Sequence, residues 1–119
     1  LRGYPIVVNF WGSWCSPCRA EFGLLATAAA EYGRRVAFLG ADVNDDPSDA
    51  RAFLAQHSVA YPSYQFAANR ATAIVPQGLL GTPTTIFIDR AGRIAAVHTG
   101  QYDAQGTLDA EIQANALGG

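Results

Sequence analysis

The two cysteines of this chain, Cys15 and Cys18, are separated by two residues and follow an apolar run. Thiols at this spacing on a helix lie one turn apart. A helix beginning here would place backbone N–H groups and the positive end of the helix dipole beside the first sulfur, and both stabilise a thiolate. A stabilised thiolate next to a second thiol can exchange disulfides with another molecule.

Two other roles for a cysteine pair compete with this one. Because the chain has no further cysteine, and neither His57 nor His98 stands at zinc-finger spacing from the pair, the ligand count argues against a structural zinc site. A purely structural disulfide is the stronger alternative, but closing so short a loop removes little entropy from the unfolded chain. We therefore expect a redox-active pair that works without a metal or another cofactor.

Composition limits the classes of function that remain. The chain has 119 residues, of which 50% are hydrophobic, and this suits one compact domain over residues 1–119. The net charge is −2 and the eight basic residues, all arginine, are scattered, so nucleic acid is not expected as a partner. No segment reaches the roughly 18 consecutive apolar residues that cross a bilayer. The numbered chain is expected to be soluble, with any targeting or anchoring segment lying outside it.

Strand and helix patterns alternate along the chain. The apolar run Ile6 to Trp11 predicts a buried central strand, and apolar residues at three- and four-residue steps from Pro17 to Tyr32 predict an amphipathic helix. A second strand and helix follow, then a β-hairpin and a last helix. The further predicted ranges are strands at 35–42, 63–66, 84–89 and 94–98 and helices at 49–57, 68–75 and 103–117. This order predicts an α/β fold.

Two longer motifs add a family resemblance. They read VNFWGSWCSPCRAE at residues 8–21 and GTPTTIFID at residues 81–89. With the element order, they resemble thioredoxin-like proteins of the extracytoplasmic TlpA and ResA type. The resemblance implies the thioredoxin fold, in which helices flank both faces of a central mixed sheet. It also implies a thiol–disulfide oxidoreductase outside the cytoplasmic membrane, of the kind that reduces disulfides during cytochrome c maturation.

The resemblance also assigns roles to the cysteines. Cys15, at an exposed helix end, is the expected nucleophile, and Cys18, on the apolar stripe of the helix, is expected to be more buried and to resolve the mixed disulfide. The expected partners are protein disulfides or dithiols and an external, membrane-embedded electron donor. We expect the protein to be a monomer.

Glu21 is the expected proton carrier of the site. It lies three residues after Cys18, beside the apolar stripe, and matches the acidic position of this type of protein. A partly buried carboxylate here could exchange a proton with Cys18, whereas the alternative is a solvated carboxylate in the first turns of the helix. Asn9 stands where cytoplasmic thioredoxins have a buried aspartate, and because an amide does not titrate near neutral pH, it leaves this role to Glu21.

Trp14, Thr82 and Pro83 are the candidate substrate-binding residues. The resemblance implies a cis peptide bond before Pro83, facing the disulfide, so that the backbone beside Thr82 pairs with an extended substrate segment. An ordinary trans proline in a loop is the alternative. Trp11 and Trp14 are expected to contribute to the apolar surround of the disulfide, although Trp11 suits a plain core position as well.

Three other activities remain as alternatives. An oxidant that forms disulfides in secreted proteins would use the same cysteines, and only the reduction potential separates it from a reductase. A thioredoxin-like module that binds peptides without turnover would keep the groove beside Pro83 and leave the cysteines oxidised. A peroxidase fits less well, because related peroxide-reducing folds place a single reactive cysteine outside this motif.

Overall fold

The computed structural model describes residues 3–76 and 78–118 of the chain. Strands and helices follow in the order β1 (Ile6–Trp11), α1 (Ser16–Tyr32), β2 (Ala37–Val43), α2 (Pro47–Gln56), β3 (Ser63–Phe66), α3 (Ala68–Ile74), β4 (Thr84–Ile88), β5 (Ile94–Thr99) and α4 (Gln105–Glu111). The last helix continues as a π-helical segment over Ile112–Leu117. The α/β fold predicted from the sequence is confirmed.

The five strands form one mixed sheet with the order β3-β2-β1-β4-β5. β1 and β2 are parallel, as are β2 and β3, because each pair is joined by a helical crossover. β4 runs antiparallel to both β1 and β5, and a tight turn connects β4 to β5. The predicted central position of β1 is confirmed, since it pairs on both sides.

Apolar residues cover both faces of the sheet, as the resemblance to the thioredoxin fold implies. On one face, Val7 of β1 packs in a cluster with the inward stripes of α1 and α4, including Leu25 and Leu108. On the other face, Phe10 of β1 packs with Ala71 of α3. Successive residues of a strand point to opposite faces, so β1 supplies both clusters and is buried on both sides.

The starts of β2, α2 and α4 each differ from the prediction by two residues, and β2 begins at Ala37 instead of residue 35. α2 begins at Pro47, two residues early, because the Asp46 carboxylate caps it by accepting hydrogen bonds from the N–H groups of Ser48 (2.8 Å) and Asp49 (3.3 Å). α4 begins at Gln105 instead of residue 103, and the π-helical turn after it has no counterpart in the sequence pattern.

Candidate active site

The cysteine pair lies where β1 ends and α1 begins. Trp11 is the last residue of β1, and the chain then turns through residues 12–15 into the helix. The turn is closed by a hydrogen bond from the N–H of Cys15 to the carbonyl oxygen of Gly12 (3.1 Å). Cys15 is the N-cap residue of α1, and Pro17 occupies the first turn, where its missing N–H costs nothing.

Cys15 and Cys18 are joined in a disulfide, with their Cα atoms 5.2 Å apart. The Sγ atom of Cys15 also accepts a hydrogen bond from the N–H of Cys18 (3.3 Å), so the capping position places a backbone donor on this sulfur. Cys15 is 4% exposed and Cys18 is 1% exposed. The expectation that Cys18 is the more buried of the two is met, but the expectation of an exposed Cys15 is wrong for this oxidised form.

An aromatic cluster explains the low exposure. The ring of Trp11 lies 5.3 Å from that of Phe22 and 5.5 Å from that of Phe53, and both cysteines belong to this apolar cluster. Trp11 is buried, so it combines the two roles considered for it, core residue and apolar neighbour of the disulfide. α2 therefore contributes to the site through Phe53.

Trp14 is the exposed aromatic side chain next to the disulfide. It is 57% exposed, and its indole Nε1 donates a hydrogen bond to the carbonyl oxygen of Val43 (3.2 Å) at the end of β2. The indole forms one wall of a cleft of about 320 Å³, which is also lined by Ser13, Arg19, Asp49, Ala52, Phe53 and Gln56. An exposed aromatic surface beside a cleft with both polar and apolar lining suits contact with another polypeptide.

Thr82 and Pro83 lie at the same end of the sheet as the cysteine pair. Phe10 of β1 pairs with Thr84 of β4 in antiparallel register, so the segment that precedes β4 lies beside the segment that follows β1. The peptide bond between Thr82 and Pro83 is cis, as predicted. Pro83 is buried and Thr82 is half-buried. The topology thus brings together two segments that are far apart in the sequence.

Glu21 is completely buried, with 0% exposure, which goes beyond the partial burial expected from the sequence. Its carboxylate oxygens accept hydrogen bonds from the side-chain amide of Asn9 (2.9 Å) and from the backbone N–H of Tyr102 (3.0 Å). Burial raises the pKa of Glu21 to about 7, and these two hydrogen bonds, which favour the ionised form, only partly offset the effect. A carboxyl group with this pKa can both take up and release a proton near neutral pH.

Asn9 holds Glu21 from the central strand. Its Nδ2 also donates to the Oγ1 of Thr85 (3.2 Å), the residue opposite it on β4. The amide therefore connects β1, β4 and α1 through buried hydrogen bonds. Asn9 thus supplies hydrogen bonds to the buried side chains of Glu21 and Thr85, and it places a group that does not titrate beside Glu21.

Sequence reasoning missed three residues around the site. Tyr102 contributes its backbone N–H to Glu21, and no side-chain pattern reports a backbone contact between residues 81 positions apart. Asp45 accepts two hydrogen bonds from Ser13, but its sequence context, Asp-Asp-Pro, indicates only a turn and a helix cap. Asp42 is a buried carboxyl near the end of an apolar strand. An acidic residue in an apolar strand was the one sequence signal that could have indicated a functional carboxyl here.

Residues 3–76 and 78–118 contain no group of three or more His, Cys, Asp or Glu side chains placed to hold a metal ion. No helix within these ranges has both the length and the apolar character needed to span a membrane.

A comparison with family models decides the family. The model described as Redoxin matches residues 1–114. The chain belongs to the Redoxin family. Among relatives of this redoxin, the thiol:disulfide interchange protein DsbE homolog of Paracoccus denitrificans is 38% identical over 95 residues, which are 79% of this chain and 50% of the relative. The thiol-disulfide oxidoreductase ResA of Halalkalibacterium halodurans is 28% identical over 107 residues, 88% of this chain and 59% of the relative.

Solved structures agree with this membership. A thiol:disulfide interchange protein of the thioredoxin family from Chlorobium tepidum matches with a TM-score of 0.85 and 23% identity, over 96% of this redoxin and 81% of that chain. A DsbF homologue from Corynebacterium diphtheriae matches with a TM-score of 0.75 and 30% identity, over 91% and 70%. The thioredoxin fold and the resemblance to the TlpA and ResA type are thereby confirmed. The redoxin spans about half the length of the first two relatives that it matches.

Proposed function

We propose that this redoxin is a thiol–disulfide oxidoreductase that reduces disulfides of other proteins. The observation that carries the proposal is the Cys15–Cys18 disulfide at the start of α1, with Cys15 as the N-cap residue. At this position a backbone N–H already points to the Cys15 sulfur, and the helix dipole favours negative charge there. The similarity to proteins named thiol:disulfide interchange protein and thiol-disulfide oxidoreductase supports the same activity.

The reaction starts from the reduced protein. The Cys15 thiolate attacks one sulfur of a substrate disulfide, a Cys15–substrate bond forms, and the other substrate sulfur leaves as a thiolate. Cys18 then loses its proton and attacks the Cys15 sulfur, which closes the Cys15–Cys18 disulfide and releases the second substrate sulfur. Two electrons pass from the cysteine pair to the substrate, so an external dithiol or other electron donor must reduce the pair again. No cofactor is required.

Glu21 is the proposed proton acceptor for Cys18. It lies one turn further along α1, is buried, and has a pKa of about 7, so close to half of it is ionised at neutral pH. Asn9 and the Tyr102 N–H fix the carboxylate in place. The Cys18 thiol must lose its proton before it can attack, because only the thiolate is nucleophilic. Glu21 would accept this proton inside the protein, where water has little access.

Substrate is proposed to bind across the end of the sheet. Trp14 offers an exposed aromatic surface on one side of the disulfide, and the segment of Thr82 and Pro83 lies at the same end of the sheet. The backbone at Thr82 is proposed to pair with an extended substrate segment, and such pairing is independent of side-chain identity.

A test of the activity uses insulin as the substrate disulfide and dithiothreitol as the electron donor. We expect the wild type to reduce insulin and Cys15→Ser to show no turnover. Cys18→Ser, the matched control, keeps the nucleophile and loses only the resolving thiol. After reduction and removal of dithiothreitol, it is expected to accumulate a mixed disulfide with insulin that mass spectrometry detects. A wild type without turnover would instead support a module that only binds peptides.

The direction of electron flow is proposed to be reduction, in a protein located outside the cytoplasmic membrane and serving cytochrome c maturation. Equilibration with glutathione buffers measures the reduction potential of the pair. A potential well below the roughly −120 mV of a strong oxidant supports the reductase, whereas a value near that figure assigns the chain to disulfide formation.

Location, anchoring and assembly belong to the same proposal. The redoxin is expected to act as a monomer with one domain over residues 1–119, attached by a segment outside this chain and reduced by a membrane-embedded donor. In cells, modification of the reduced cysteines by a membrane-impermeant alkylating reagent tests the location. Sedimentation equilibrium of the purified protein tests the monomer, and limited proteolysis tests the single domain.

A further inference from the structure

The turn that leads into Cys15 is tied to the connection between β2 and α2. The carboxylate of Asp45 accepts hydrogen bonds from both donors of Ser13, from the backbone N–H through Oδ2 (2.7 Å) and from the hydroxyl through Oδ1 (2.7 Å). One residue further along, the indole of Trp14 donates to the carbonyl oxygen of Val43 (3.2 Å). Three hydrogen bonds therefore join two consecutive residues of the turn to one neighbouring segment.

A second carboxyl group, that of Asp42, lines the same cleft as Asp45. Asp42, on β2, is 3% exposed and pairs in register with Trp11 of β1 on one side and Gln65 of β3 on the other. Neither of its carboxylate oxygens accepts a hydrogen bond from a donor in the part of the chain that the structure describes. An ionised carboxylate that is buried without a donor is costly, so this group favours its neutral form.

When Asp42 is neutral, it can donate a hydrogen bond to Asp45. A protonated carboxyl group is a hydrogen-bond donor, and an ionised Asp45 is its natural acceptor. We propose that Asp42 and Asp45 share a single proton, held on Asp42, and that this pair positions the turn that leads into Cys15. Asp45 then keeps its full acceptor capacity for Ser13.

The pKa directions of the two groups agree with this division. Burial, followed by the interaction with Asp45, raises the pKa of Asp42 to about 8, and the nearby Gln65, whose side chain does not form a hydrogen bond with it, opposes this with a smaller effect. Partial burial acts to raise the pKa of Asp45, but hydrogen bonds from Asp42 and Ser13 outweigh it and hold that pKa below its usual value. Two close carboxyl groups whose pKa values move apart behave as one pair with one proton.

Other charged or titratable groups face Asp42 from α2 and β3. Arg51 of α2 and Tyr64 of β3 line the same cleft as Asp42. Both side chains are exposed, so water screens their influence on the buried carboxyl. Trp11, its neighbour on β1, does not titrate. Asp45 is therefore the group to which the protonation of Asp42 is coupled.

The pair makes the turn sensitive to pH. When Asp42 loses its proton, Asp45 loses a donor and gains a neighbouring negative charge, which pushes it away from its place against Ser13. Trp14 follows Ser13 directly and reports on the turn through its fluorescence. The effect of this movement on the reactivity of Cys15 rests on the proposed function. The movement of the turn with pH is independent of that function.

The first experiment is a fluorescence titration of the oxidised protein between pH 6 and 9.5, a form in which neither cysteine titrates. We expect a step near pH 8 in the wild type, in line with Asp42. The step should remain in Glu21→Gln, which removes another buried carboxyl with a raised pKa, and should be lost in Asp42→Asn, which copies the neutral form. Trp14→Phe should lose the signal as well. A step that survives in Asp42→Asn, or the absence of any step in the wild type, overturns the proposal.

The second experiment repeats the titration on the reduced protein. A Cys15 thiolate adds a negative charge at the end of the same turn, so the step is expected to move to higher pH on reduction. Cys15→Ser, which forms no thiolate there, is the matched control and should show no such movement. Alkylation of Cys15 reports separately whether the thiolate forms. If it forms and the step stays in place, the coupling to Cys15 is wrong while the proposed function stands.

Discussion

Each of the two sulfurs has its own place in α1, and this difference determines how they should react. Cys15 caps the helix and is the less buried of the two, whereas Cys18 lies one turn inside it, although both contact the aromatic cluster of Trp11, Phe22 and Phe53. Nucleophilic thiols combine access with a favourable electrostatic surround, and the helix start supplies the latter. The rate at which a reagent in solution modifies each thiol of the reduced protein therefore measures how accessible and how ionised that thiol is.

In the reduced protein, we expect iodoacetamide at neutral pH to modify Cys15 much faster than Cys18, by at least about tenfold given the usual contrast between helix-start and buried thiols. Mass spectrometry of peptides taken over time measures both rates in one sample. Urea-unfolded protein is the control, in which the two rates should converge. Equal rates in the folded protein would contradict the assignment of nucleophile and resolving thiol.

The proton-carrying role of Glu21 has its own signature. Because its pKa is about 7, the rate of disulfide exchange in the wild type should show an inflection near that pH. In Glu21→Gln the amide cannot exchange a proton, so we expect the inflection to disappear and the rate to fall. Insulin reduction measured from pH 5.5 to 8.5 tests this, with the exposed Glu31→Gln as the control that should retain the wild-type profile. An unchanged inflection in Glu21→Gln would show that Glu21 does not carry the proton.

At the scale of elements, the site depends on how closely β1, β2 and β3 approach one another. Gly40 of β2 pairs with Asn9 of β1 and with Ser63 of β3. A Cβ atom at this position would overlap the hydroxyl of Ser63 and lie 3.1 Å from the indole Nε1 of Trp11. These two groups are hydrogen-bonded to each other (3.2 Å), so the glycine leaves room for the bond that fixes Trp11 under the disulfide.

We expect Gly40→Ala to reduce the free energy of unfolding by about 1–3 kcal/mol, the usual cost of overpacking. Gly23→Ala is the matched control, because its added Cβ meets nothing within 4 Å. Since Gly23 lies within α1, that change should stabilise the protein by up to about 1 kcal/mol. Urea denaturation of the two variants gives both values. A Gly40→Ala protein as stable as the wild type would show that the strands can move apart.

At the scale of the whole molecule, buried carboxyl groups make stability depend on pH. The pKa of Glu21 is raised from 4.5 to about 7 and that of Asp42 from 3.8 to about 8, mainly by burial. The folded protein therefore binds more protons than the unfolded chain between these values. The corresponding stability is fully present below the unfolded-state pKa and is lost as pH rises through the folded-state pKa.

For Glu21, this loss between pH 4.5 and 7 is on the order of 3 kcal/mol. Urea denaturation of the wild type and Glu21→Gln across this range isolates it, because all other groups are shared. We expect the variant to gain stability relative to the wild type as pH rises. A constant difference between the two proteins would show that the carboxyl is not held in its buried position.

The residue types along the chain were enough to predict much of this protein. The pair Cys15 and Cys18, the apolar run of β1 and the stripe of α1 are local patterns, and they gave the α/β fold, the family resemblance and the location of the disulfide. The cis bond before Pro83 followed from the family motif. The cysteine spacing, the strand run and the helical stripe depend on neighbours a few residues away, so periodicity and spacing report them directly, whereas the cis bond was implied only by the family resemblance.

Tertiary structure alone decided which polar groups are buried and what they contact. Nothing local indicates that Glu21 meets the N–H of Tyr102, that Asp45 turns toward Ser13, or that Cys15 is covered in the oxidised form. Each depends on segments brought together by the sheet, in which β4 returns beside β1 and β2 ends next to the cysteine turn. Burial by distant segments changes the charge state of a carboxyl far more than its sequence neighbours do, because desolvation acts on the ionised form.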